Sequence, residues 1–158
     1  DLNVSPGYMF TTRCLDANGS PAGAYPNSYT LTWDFGSTPL DHTNFFMAGQ
    51  FWRPSNVATV TAYAADGVTP VNNAVFAYED IQAQTPSYTF LEPLTWDPST
   101  GTLSGGGSNQ GPNSGYGFFR IPEGTEIGKI VVSVDDPYMA GYADALNWAI
   151  GCYGCIAY

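Results

Sequence analysis

Apolar and polar residues alternate with a period of two along most of this chain. Over residues 28–35 the parity is strict: Tyr29, Leu31, Trp33 and Phe35 fall on one face, and Ser28, Thr30, Thr32 and Asp34 on the other. That is the pattern of a strand with one buried face. The same period predicts strands over 7–13, 44–52, 56–64, 74–79, 87–91, 115–121, 127–134 and 147–158. Between them stand turn signals, Asp16-Ala17-Asn18-Gly19, Asp66-Gly67, Asn72-Asn73 and Asp97-Pro98-Ser99-Thr100-Gly101. Each puts Gly, Asn or Pro where a chain reverses or takes a positive φ. The close spacing suits an antiparallel sandwich and leaves no room for the helical crossovers of a parallel sheet. One short helical turn is predicted over 140–146, and the Gly/Ser/Asn-rich run 104–115 reads as a surface loop, because it has nothing to bury. The Lys and Ser/Thr that would make its glycines a phosphate cradle are missing. The expected fold is therefore all-β: a two-sheet antiparallel sandwich of jelly-roll type with about nine strands, formed as one domain over 1–158. Residues 1–6 are expected to form an extended N-terminal arm.

Composition narrows the setting. Hydrophobic residues make up 44% of the 158 positions and aromatics 15%, whereas charged residues reach only 11%. The surface is then covered by Ser, Thr, Asn, Gln, Gly and Tyr, as suits an extracellular β-protein; the aromatic content separates the chain from disordered acidic segments. Four Lys and Arg against 14 Asp and Glu give a net charge of −10. Phosphate backbones and anionic lipid headgroups are repelled by such a surface, so neither nucleic acid nor membrane insertion is expected. A start at Asp1 with no charged and apolar leader ahead of it is read as the start of a processed, secreted chain.

The run Asn56-Val57-Ala58-Thr59-Val60-Thr61-Ala62-Tyr63-Ala64-Ala65-Asp66-Gly67, with the later Gly117-Phe118-Phe119 and Ile127-Gly128-Lys129-Ile130-Val131-Val132-Ser133-Val134, resembles the secreted bacterial jelly-roll domains of surface-anchored exoproteins. The resemblance implies a jelly-roll fold and a cell-surface setting. It carries no functional residues.

Cys14, Cys152 and Cys155 make an odd number of thiols for a secreted protein. In an extended strand Cys152 and Cys155 would stand about 10 Å apart, beyond the ~7 Å that a disulfide tolerates; a turn at Gly154 would bring them into range. If the terminal run stays extended, Cys152 shares the inward parity of Trp148 and Ile150, a Cys14–Cys152 bridge ties the first strand to the last, and Cys155 is left to link another molecule. A zinc set with His42, the single histidine, rests on one CxxC and is the weaker reading.

No chemistry-bearing motif emerges. There is no G-x-S-x-G, and His42 lies in a polar connector where an exposed loop residue is expected. Paired carboxylates of a glycosidase cannot be told from scattered acids by spacing alone. Calcium is the favoured cofactor, with candidate ligands in the oxygens of Asp16 and Asn18 and, around the Pro137-Tyr138 connector, of Asp135, Asp136 and Asp144. Trp96, Tyr116, Tyr138 and Tyr142 fall in loops or at strand ends and are the candidate aromatic platform for a sugar, whereas Trp33 and Trp148 follow the inward parity. The expectation is a non-catalytic extracellular structural or adhesive subunit. It would self-associate as a homo-oligomer, into a filament or matrix, through disulfide or strand-addition contacts. The alternative is a carbohydrate-binding module that takes polysaccharide on its exposed aromatics.

Overall fold

In the computed structural model the described residues are 10–11, 28–49, 57–81, 94–105, 116–135 and 147–152. They form strands β1 (Phe10–Thr11), β2 (Ser28–Asp34), β3 (Asn44–Gly49), β4 (Val57–Ala64), β5 (Ala77–Ile81), β6 (Thr95–Asp97), β7 (Thr102–Ser104), β8 (Tyr116–Arg120), β9 (Ile127–Asp135) and β10 (Asn147–Cys152). A single 3-10 turn, Asn73–Val75, precedes β5. Two five-stranded sheets result, sheet I in the order β1-β10-β3-β8-β5 and sheet II in the order β2-β9-β4-β7-β6, with every pair antiparallel. The pairing is nested: β1 with β10, β2 with β9, β3 with β8 and β4 with β7. Alternate pairs go to alternate sheets, which is the jelly-roll winding. To that eight-strand frame β5 and β6 add one outer strand on each sheet.

The predicted strands over 28–35, 44–52, 56–64, 115–121, 127–134 and 147–158 appear within one or two residues wherever they are described. The one over 74–79 starts late, because Asn72 caps the 3-10 turn by accepting from Ala74 N and delays the strand to Ala77. The hairpin of β6 and β7 was not expected as strands, and β7 takes Ser104 from the expected loop 104–115. The expected strand over 87–91, the helical turn over 140–146 and the arm 1–6 lie outside the described residues.

The core lies between the sheets. Sheet II supplies Trp33, Ala58, Val60, Ala62, Leu103, Ile130, Val132 and Val134, and sheet I supplies Phe46, Ala48, Phe119, Trp148 and Ile150. The small inner face of β4 offsets the large aromatics opposite, so the interior fills without strain. A line of aromatic contacts crosses it: Trp33 to Phe46 at 5.8 Å, Phe46 to Phe119 at 5.6 Å, Phe119 to Trp96 at 4.7 Å between centroids. Its two ends stand on β2 and β6, the outer strands of sheet II.

All the described connections between consecutive strands fall at one end of the sandwich; β8–β9 turns on a backbone bond from Thr125 N to Pro122 O, and the other three are fixed by a side chain that accepts from the backbone two residues on. Asp34 accepts from Gly36 N at 3.0 Å, Asp41 from Thr43 N at 2.8 Å, Asp66 from Val68 N at 2.8 Å and Asp97 from Ser99 N at 2.9 Å. Asp66 also accepts from Thr69 N at 2.8 Å and from the Thr69 hydroxyl at 2.5 Å. Those bonds, from Thr69 first, hold its carboxyl down at about 2. Because the folded value lies below the ordinary 3.8, the turn contributes stability above about pH 4 and loses it as the pH falls toward 2. Thermal melts of Asp66→Asn are expected to change less between pH 5 and about pH 2 than those of the parent; an unchanged acid sensitivity would show that the turn does not set it.

Candidate functional site

Of the expected sugar platform, Trp96 and Tyr116 lie within the described residues. Trp96 sits on β6 with inward parity, packed edge-on to Phe119 and 6.4 Å from the Tyr78 ring. Its Nε1 is buried and finds no acceptor among the described residues. It closes the β5–β6 side of the sandwich together with Tyr78, whose hydroxyl donates to Leu94 O across the sheets at 2.9 Å. Trp96 is thus a wall of the core, half-buried, rather than an open platform. Tyr116 opens β8 opposite Gly49 and Ile81. Tyr138 and Tyr142 lie outside the described residues.

The calcium candidates divide in the same way. Asp135 ends β9, opposite Ser28 and Val57, while Asp16, Asn18, Asp136 and Asp144 lie outside the described residues. Among the described residues no group of three or more His, Cys, Asp or Glu is placed to hold a metal ion, and no helix is long and apolar enough to cross a membrane. His42 is exposed in the β2–β3 connection.

Cys152 closes β10 opposite Asn44 and is disulfide-bonded; Cys14 and Cys155 lie outside the described residues.

The two outer faces differ in chemistry. That of sheet I is apolar at its centre, with Phe45 against Phe118 at 5.3 Å, Met47 beside them and the Phe45 ring lying over Gly151. Its described charges are one pair, Arg120 to Glu79 at 2.7 Å, half-exposed and worth little to stability.

The outer face of sheet II carries hydroxyls. One cross-strand row runs Thr30, Ser133, Thr59 and Thr102 over four strands and ends at Asp97. The next row is Thr32, Val131 and Thr61, and Ser104 and Thr95 stand opposite one another on the far side. Thr30, Thr32, Thr59, Thr95 and Ser133 are exposed, and Thr61, Thr102 and Ser104 partly so. Members of a row lie about 4.8 Å apart and rows about 6.7 Å apart. Thr30 Oγ1 and Ser133 Oγ share a hydrogen bond of 3.3 Å, and Thr100 donates to Thr102 at 2.9 Å. At the margin Lys129 lies opposite Asp34 and 4.2 Å above the Tyr63 ring, so its charge is held to the face.

These rows were not expected from the sequence. Threonine at alternate positions of β2 and β4 is visible there, but which threonine meets which hydroxyl depends on pairing between residues as far apart as Thr30 and Ser133. No protein-family model, curated protein or solved structure matches the chain.

Proposed function

We propose that this chain is a non-catalytic extracellular structural or adhesive domain, and that the outer face of sheet II is its adhesive surface. The observation that supports the reading is the row Thr30, Ser133, Thr59 and Thr102 on a rigid four-strand floor. A hydroxyl is both donor and acceptor, so such a face matches an uncharged partner that presents hydroxyls of its own, as polysaccharide does. β-Branched side chains fixed on a sheet have little rotamer freedom left to lose on binding. Charge agrees with the reading. In a chain of −10, the charges of this face stand at its margins: Asp34 opposite Lys129, Asp97 at the end of the row, and Asp135 at the end of β9.

Sedimentation of the whole chain with insoluble cellulose and chitin tests it. Binding to at least one is expected, with a loss of about tenfold or more for Thr59→Lys, which puts a strongly hydrated charge in the middle of the row. Val68→Lys, in the exposed turn after β4, should bind as the parent does. Failure of the parent to sediment with either polymer, or full binding by folded Thr59→Lys, would overturn the proposal. A carbohydrate-binding module built on Trp96 is the less favoured reading, since that ring is packed against Phe119.

A further inference from the structure

The open edge of β2 carries a second inference, resting on the reading of this chain as a structural or adhesive subunit. β2 is the outer strand of sheet II and is seven residues long. Just beyond it Phe35 N donates to Gly128 O at 2.9 Å, in step with the pairing of Asp34 to Lys129. Hydrogen-bonded pairs alternate along an antiparallel ladder. Tyr29, Leu31 and Trp33 are therefore the residues bonded to β9, and the N–H and C=O groups of Ser28, Thr30, Thr32 and Asp34 face away from it. Among the described residues no strand pairs with that side. Proteins protect edges by keeping them short or by charging them. β6 is three residues long, and β5 carries Glu79 and Asp80. β2 has neither protection along its length; its one charge is Asp34, at its end.

We propose that this edge pairs with the β2 of a second copy about a two-fold axis through Leu31, so that two copies of sheet II become one continuous sheet. The alternation selects the register. Only even-numbered residues offer bonds on this side, and aligning the whole strand antiparallel to itself places Thr30 opposite Thr32 of the second copy and Ser28 opposite Asp34. Both matches are even to even, so each brings outward N–H and C=O groups together. Thr–Thr pairs are favourable neighbours across a ladder. The half-buried Leu31 meets its own equivalent on the inner face and is covered further. Charge selects the occupant. Two copies of a −10 chain repel over most of their surfaces, but in this register the two Asp34 carboxylates stand about 20 Å apart along the strand, beyond the ~8–10 Å reach of screened charge. Pairing through β5, aligned in the same way, would instead set Glu79 against Glu79 of the second copy. The same symmetry also runs the hydroxyl rows of the two copies into one surface.

Light scattering of the full chain over a concentration series, with thiol mapping, tests the proposal. A dimer is expected. Thr32→Pro removes an N–H on the open side and leaves the β9 ladder intact; it should weaken the dimer about tenfold or more, since the bond is lost twice by symmetry, while the circular dichroism and melting of the monomer stay as in the parent. In Leu31→Cys the two introduced thiols lie at a non-hydrogen-bonded position with Cα atoms about 4.5 Å apart, within disulfide range. Mild oxidation should link position 31 to position 31, identified by peptide mass. Thr59→Cys, two strands away, should not link. A parent that is monomeric throughout, a dimer untouched by folded Thr32→Pro, or a dimer that oxidises without a 31–31 link would each overturn the proposal; the last two would point to a different strand or face as the occupant. Sedimentation with polysaccharide needs only one copy, so a monomer that still binds cellulose or chitin would remove the dimer and leave the adhesive reading standing.

Discussion

Trp148→Ala is expected to cost about 3–5 kcal/mol, a third or more of the stability of an ordinary domain. Trp148 is fully buried near the start of β10, between β1 and β3, and its ring stacks on Phe46 at 5.5 Å with the planes 20° apart. Removing it leaves a void that the sheets cannot close, because Phe46 is held at the same time by Trp33 and Phe119. The backbone of β10 is also fixed in two ladders, so collapse around the gap is limited. Urea unfolding followed by far-ultraviolet circular dichroism would measure the loss. Trp148→Phe, which keeps a ring in place, should recover a good part of it. A loss below about 1 kcal/mol for the alanine variant would be incompatible with a core built around this position.

Gly101→Ala is expected to cost about 2–5 kcal/mol, and the cause can be separated by a control. Gly101 takes φ 69° in the β6–β7 turn, a conformation that costs an alanine about 1–2 kcal/mol. An added Cβ would also stand 2.8 Å from Val60 O and against the Asn73 side-chain amide. The Val60 carbonyl cannot withdraw easily, since Val60 N donates to Gly101 O at 2.8 Å and ties the two backbones together. Overpacking of this kind adds about 1–3 kcal/mol. Gly36 has φ 55° with open space around the position of a Cβ, so Gly36→Ala should lose only the conformational part. Equal losses in the two variants would show that the contact between the turn and β4 is not the constraint described here.

How far the fold was legible depends on how local its determinants are. In β2 the alternation of Leu31 and Trp33 with Thr30 and Thr32 announces both the strand and its buried face, and the structure keeps it. The Asp-Gly and Asn-Asn signals announce turns at Asp66 and Asn72, because the side chain that fixes each turn sits within three residues of the amide it bonds. The β6–β7 hairpin escaped because strands of three residues hold too few alternations to fix a period. That gap also misplaced Trp96: beside the Asp97-Pro98 turn it reads as exposed, yet strand parity turns it onto Phe119. The candidate site was the least legible part. Nothing local in Thr30, Thr59, Thr102 or Ser133 shows that they stand in one row, since that depends on the registers of four strands drawn from the whole length of the chain.

The nesting of the strands sets an order in time. A ribosome makes β1, β2, β3 and β4 first, but in this winding each of them waits for a partner that emerges later, and β1 waits longest because β10 comes last. Among the described pairs only the β6–β7 hairpin closes over a short span of sequence. Contacts so distant are slow to form, and until the final strand is complete the growing chain exposes the edges and aromatic faces that the finished sandwich encloses. The sandwich therefore cannot close until β10 has been made, and for that interval the chain depends on something else to keep it from its neighbours.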